Sequence, residues 1–141
     1  MMSLAMWREW YKPRLARVVQ AAKTANPSVL AMYHSDGQYE PFMDDLIEIG
    51  IDVLNPIQPE CLDPAALKLK YGDRASFWGT IGTQTTMPFG TVAEVREIVR
   101  QRIDTVGRGG GLVIAPTHVL EPEVPVDNLL ALAEETRAYR P

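Results

Sequence analysis

The stretch VLAMYHSDGQYEPF, Val29 to Phe42, reads as a strand, a turn and the start of a helix in succession. Val29 to Tyr33 is apolar without alternation, the pattern of a strand covered on both faces. His34-Ser35-Asp36-Gly37 then turns the chain, glycine supplying backbone freedom and aspartate bonding nearby amides. From about Pro41 to Ile49, the residues Phe42, Leu46, Ile47 and Ile49 recur on a helical face, and Gly50 closes the helix. The turn also holds one of only two histidines in the chain, so the same four residues bear on function.

Working outward, the alternation continues in both directions. A leading helix over about Ala5 to Thr24 carries Trp7, Leu15, Val18 and Val19 as a partial stripe, with Pro13 expected to kink or restart it. Asn26-Pro27-Ser28 ends that helix. Ile51 to Leu54 is the second strand, stopping at Asn55-Pro56. Asp63-Pro64 starts a short helix, an N-cap followed by proline at the first helical position, and Tyr71-Gly72 ends it. Ser76 to Trp78 is a short strand running into Gly79-Thr80-Ile81-Gly82. Thr91-Val92-Ala93-Glu94 is a capping box whose helix runs to Val106 and closes at Gly107. Leu112 to Ala115 is the most apolar strand, and Pro125 opens a last helix with Leu129, Leu130, Leu132 and Ala133 read as facing inward.

Four β-strands alternating with α-helices imply parallel crossovers and an α/β fold. Two architectures fit that order: a small doubly wound sheet, or half of a (β/α)8 barrel, whose full length is roughly 250 residues. Periodicity does not choose between them.

Composition narrows the class. A chain of 141 residues suggests one domain over 1–141, with 1–28 as a leading helical segment. Its net charge of -4 argues against a nucleic-acid partner. No apolar run approaches the ~18 residues of a membrane span, and no signal-peptide pattern opens the sequence. The single cysteine, Cys61, excludes an intrachain disulfide framework and fits a reducing, cytoplasmic setting.

In both architectures ligands bind at the carboxyl ends of the strands. Those ends are His34-Ser35-Asp36-Gly37, Asn55-Pro56-Ile57-Gln58, Gly79 to Gln84, and Pro116-Thr117-His118. Both histidines fall there, which favours a site. Each candidate also has a plain structural reading. Asp36-Gly37 can be a turn and no more. His34 is either a satisfied core histidine or a metal ligand, proton donor or substrate anchor. His118 carries the same two readings, with Thr117 beside it as a hydrogen-bond partner. Gly109-Gly110-Gly111 precedes a strand, so it is no phosphate-cradling loop. Cys61 has no cysteine or histidine near it in sequence and reads as a bystander thiol. Trp7, Trp10 and Tyr11 read as packing surface.

Taken in order, HSDG at 34–37, LNPIQPECLDP at 54–64, LKLKYGDRASFWGTIGTQ at 67–84, PFGTVAEV at 88–95 and GGGLVIAPTHVLEPEVPVDNLLAL at 109–132 resemble the uroporphyrinogen decarboxylase superfamily. That superfamily also holds corrinoid-dependent methyltransferases. The resemblance runs from about Met6 to Tyr139 and covers the carboxyl-terminal half of the family barrel. It implies a partial TIM barrel of about four parallel strands. It further implies a uroporphyrinogen-decarboxylase-like domain, a lyase of porphyrin biosynthesis, that binds a polycarboxylate tetrapyrrole or related ligand. In the decarboxylases the matching turn carries the same Asp-Gly, and a histidine matching His118 contacts the substrate. The resemblance therefore casts His34, Asp36 and His118 as catalytic and Gly37, Asn55, Gln58, Gln84 and Thr117 as substrate-binding, with no cofactor. In the methyltransferases, a His-x-Cys-Gly turn and a later cysteine bind zinc. Here His34 matches the zinc histidine, Asp36 stands in the cysteine's place, and the later cysteine would fall near Gly82. Zinc belongs to that alternative alone. A non-catalytic binding or assembly domain is a further alternative.

The family's carboxylate-binding arginines and its pyrrole-facing aspartate come from the amino-terminal half. Arg96, Arg100 and Arg102 read as solvated outer-face residues and do not replace them, so the chain alone holds at most half of an active site. A half barrel also has two free edges and a bare inner face. It is expected to pair with a second copy of itself or with a separate amino-terminal half.

Overall fold

In the computed structural model, which describes residues 2–141, four parallel strands stand in the order β1-β2-β3-β4. They are β1 (Met32–His34), β2 (Val53–Ile57), β3 (Ser76–Ile81) and β4 (Leu112–Pro116). A helix follows each: α3 (Glu40–Glu48), α4 (Pro64–Tyr71), the short α5 (Thr86–Phe89) with α6 (Val92–Thr105), and α7 (Val126–Ala138). Ahead of them run α1 (Leu4–Met6), a π-helical turn Trp7–Tyr11, and α2 (Lys12–Ala25). An open sheet of this order, with a leading helical segment, is a partial (β/α) barrel.

One face of the sheet is covered by helices, and the other is open in part, with Val53 and Thr80 buried on it. Leu54, Phe77 and Ile81 point to the helices and are fully buried. Leu54 and Phe77 pack with Met43, Leu46, Leu67 and Tyr71 in one cluster. Ile81 packs with Met87, Val95, Val99, Ala131 and Leu132 in a second. Residues one position out of phase point the other way. Met32 is 49% exposed, Trp78 39% and Val113 45%. Trp78 sits directly beside Val113 in register, and Met32 shares a rung with Val53 and Ser76. These side chains lie on the face that a closed barrel would bury.

Several elements differ from the sequence expectation. The first strand is Met32–His34, not Val29–Tyr33. Just ahead of it, the Ala31 N–H donates to the Asp52 carboxylate at 2.7 Å, so a side chain stands where a ladder partner would. Strand β2 runs on through Asn55-Pro56 to Ile57, because the ladder to β3 shifts register between Leu54 and Ile57. Proline has no N–H to donate, and the shift accommodates it. Strand β3 continues past Trp78 to Ile81. Pro13 does not break the leading helix. The preceding turn widens, and the Lys12 N–H donates to Trp7 O, five residues back.

Val18, Leu129 and Leu130 face outward and are exposed. The buried face of α7 is instead Asn128, Ala131, Leu132 and Glu135. Asn128 Nδ2 donates to Met87 O at 2.9 Å and Gly90 O at 2.7 Å, tying α7 to the α5 turn. Of the aromatic trio, Trp7 is buried, while Trp10 and Tyr11 are about half exposed.

Candidate functional site

Strand direction sends β1 to β4 toward the same end, and the polar residues collect there. His34 closes β1 in register with Asn55, and its Nδ1 lies 2.6 Å from Asn55 Oδ1. A carboxamide oxygen only accepts, so Nδ1–H donates. Nε2 lies 3.6 Å from Asp36 Oδ2, beyond hydrogen-bond length. Gly37, at φ 75°, donates its N–H to Gln58 Oε1 at 3.2 Å. That bond holds the first turn against the end of β2.

Thr117 is buried just beyond β4. Its N–H donates to Ile81 O at 2.9 Å, and its Oγ1 lies 3.3 Å from Thr83 Oγ1. Gly79 makes this approach possible: at φ 111° it has a backbone that favours glycine, and a Cβ there would meet Thr117 Cγ2 at 3.3 Å. His118 follows, its ring centroid 6.3 Å from that of His34. Strands β1 and β4 lie at opposite edges of the sheet, so the sheet must curl strongly for their ends to meet.

A cavity of about 270 Å³ opens between these groups, lined by Asp36, Gln58, Thr83, Gln84, Thr117 and His118. His34 and Asn55 do not line it but flank it through Asp36. Gly37 takes part through its backbone alone. An adjoining hollow of about 400 Å³ carries Glu121 and Glu123 beyond His118. Among the described residues, neither lining includes a lysine or arginine.

Thr83 belongs to the Gly79 to Gln84 strand end already singled out, while Glu60 and Tyr39 escape sequence reasoning. Thr83 enters through the β3 loop. Glu60 reaches under that loop, its Oε1 accepting from the Gln84 N–H at 3.2 Å and from Thr85 Oγ1 at 3.0 Å. Tyr39 lies beside the site, lining a separate hollow that shares Asp36, and donates its O–H to Pro56 O at 3.3 Å. Burial pushes its phenol above the ordinary value, with the charges of Tyr33 and Asp36 adding to the shift. No sequence signal marks Glu60 or Tyr39, because each makes its contact more than a helical turn away in the chain.

Arg100 is exposed, as the sequence reads it, whereas Arg96 and Arg102 are partly buried. Arg96 and Arg100 grip the buried Glu135 of α7, at 3.1 Å and 2.7 Å. Arg102 is partly buried and donates its Nε–H to Thr80 O at 3.1 Å. All three serve the outer layer, and none reaches the strand-end cavity.

His34, Asp36 and His118 each offer one ligand atom, and these atoms all lie within 4.8 Å of one another. A thiolate zinc centre does not fit here. Asp36 occupies one cysteine position, and a side chain at Gly82 would run into the Glu60 carboxylate. Cys61 is exposed and stands outside the donor group.

Parallel strands on a half-closed sheet with helices outside, and polar groups gathered at the strands' carboxyl ends, define a partial (β/α)-barrel architecture. The family model described as uroporphyrinogen decarboxylase (URO-D) matches residues 1–139, and the chain belongs to that family. No curated protein matches it. Among solved structures, a methyltransferase from Methanosarcina mazei is similar in fold, with a TM-score of 0.76 and 22% identity over 97% of this chain. The chain spans 38% of that protein's length.

Proposed function

We propose that this chain is the strand-end half of a uroporphyrinogen-decarboxylase-like site that binds a polycarboxylate tetrapyrrole or a related ligand. Decarboxylation then requires the other half of a barrel. The observation that supports this reading best is the convergence of Asp36, Gln58, Gln84, Thr117 and His118 on one polar cavity. Amide and hydroxyl groups of this kind hydrogen-bond a ligand's polar core, and Asp36 is an acceptor suited to pyrrole N–H groups. Among the described residues the linings include no lysine or arginine, so the peripheral carboxylates are left for cations outside this half.

Fluorescence titration with uroporphyrin, a stable octacarboxylate, tests the reading. The wild-type chain is expected to bind, and His118→Ala to weaken binding about tenfold, the value of one charge-assisted hydrogen bond. Unchanged affinity removes His118 from the site. Turnover of uroporphyrinogen by the chain alone would contradict the requirement for a second half.

A second reading, methyl transfer to or from a corrinoid protein, draws support from the donor cluster of His34, Asp36 and His118. The likeness of fold to a methyltransferase adds that the scaffold can carry such chemistry. A corrinoid-dependent methylation assay separates it from the first.

A further inference from the structure

We propose that the hollow between the leading helix and the β1 turn, walled by Trp7, Tyr33, Tyr39 and Phe42 with Asp36 as its anion, binds a quaternary ammonium group. The four rings come from three places in the chain: the π-helical turn, β1, and the start of α3. The space holds about 160 Å³. Pockets for drug-sized ligands begin at roughly 300 Å³, so this one admits a small head group and no more. Asp36 is the one residue it shares with the strand-end cavity.

The make-up of the wall carries the inference. Aromatic residues are 8% of the chain but half of this lining. Trp7 and Tyr39 are buried, and Tyr33 and Phe42 pack partly buried against the same cluster. Trp7 meets Phe42 at an interplanar angle of 60°, and Tyr33 meets Tyr39 at 53°. Neither pair is therefore closed face to face. A ring facing a space roughly 7 Å across stands within about 6 Å of a cation at its centre, the reach of the cation–π attraction. The Tyr39 O–H is held by Pro56 O, which fixes its ring before any ligand arrives.

Charge points the same way. Among the described residues, the lining includes no lysine or arginine. The one ion-pair neighbour of Asp36 among them is His34 Nε2, at 3.6 Å, so no lysine or arginine neutralises the carboxylate. Burial, with the charges of Tyr33 and Asp36 adding to it, pushes the Tyr39 phenol upward and keeps it neutral. Aromatic walls give the three N–H groups of a primary ammonium few acceptors. A quaternary ammonium has no N–H to leave unsatisfied, and its methyl groups suit the rings.

The inference does not rest on the tetrapyrrole reading, and choline binding is measured apart from uroporphyrin binding. The full chain is titrated by calorimetry with choline and with its uncharged carbon isostere, dimethylbutanol. One choline per chain is expected, with the isostere about tenfold weaker or worse. Tyr33→Leu and Phe42→Leu are each expected to weaken choline binding about tenfold, and Asp36→Asn several-fold. Trp10→Leu, at a half-exposed position outside the lining, leaves it unchanged. Circular dichroism of each variant checks that the fold is kept, and the comparison of choline with its isostere on the wild-type chain needs no variant. Absence of saturable choline binding, an isostere that binds as well as choline, or folded Tyr33→Leu and Phe42→Leu chains of wild-type affinity overturns the proposal.

Discussion

At the scale of single residues, Asp45 carries the clearest electrostatic consequence. Its side chain is only 6% exposed, yet it is fully paired: Arg8 Nε lies 2.8 Å from one oxygen and Lys12 Nζ 2.7 Å from the other. Burial pushes this carboxyl upward, but the hydrogen bonds from Lys12 and Arg8 outweigh it and hold the group below its ordinary value of 3.8. A depressed folded value means that the stabilisation is fully present above the unfolded value. It is lost as pH falls through the folded one. Asp45→Asn is therefore expected to lower stability by about 2 kcal/mol near neutrality, since it removes charge-assisted hydrogen bonds. The gap to wild type should narrow below about pH 4. Urea unfolding at pH 7 and pH 2.5 measures both, and a gap independent of pH would refute the assignment.

At the scale of elements, α6 is the helix best specified by its own sequence. Thr91 Oγ1 accepts from the Glu94 N–H at 3.3 Å, and the Glu94 carboxylate accepts in return from the Thr91 N–H at 2.7 Å. The same helix is clamped to α7 through Arg96, Arg100 and Glu135, with Glu135 held below its ordinary value by hydrogen bonds from those arginines. Thr91→Ala leaves the clamp intact and removes only the cap. It should cost about 1 kcal/mol in thermal or urea unfolding, with little change in far-ultraviolet signal. A cost near zero would mean that the clamp alone fixes the helix start.

At the scale of the whole molecule, the uncovered inner face decides behaviour. Met32, Trp78 and Val113 present apolar surface, and burial of such surface is worth about 25 cal/mol per Å². Strands β1 and β4 each leave one edge unpaired in the sheet order, and unpaired edges template association. Light scattering on a sizing column is expected to give a mass above the 15.7 kDa of one chain, through pairing of two copies on this face. Trp78→Lys should shift the mass toward the monomer. A wild-type monomer at every concentration would show that the inner face tolerates water.

Much of the architecture was legible in the sequence because its signals are local. The Asp63-Pro64 helix start holds, with the Asp63 carboxylate accepting from Ala65 and Ala66 amides at 2.9 Å and 3.1 Å. So does the capping box at Thr91, and so does the succession of four apolar runs and their helices. Boundaries shifted where a distant group intervened, as when Asp52 paired with Ala31 and delayed β1. On α7 Leu132 faces inward as its apolarity suggests, but Leu129 and Leu130 are exposed, and Asn128 and Glu135 are buried by partners on other elements. Sequence placed the candidate polar residues at strand ends. It held nothing that would bring His34 and His118 within a ring's breadth of each other across four strands, or set Glu60 beneath Gln84. Those encounters depend on the curl of the sheet and on side chains far apart in the chain, and only the tertiary structure sets them.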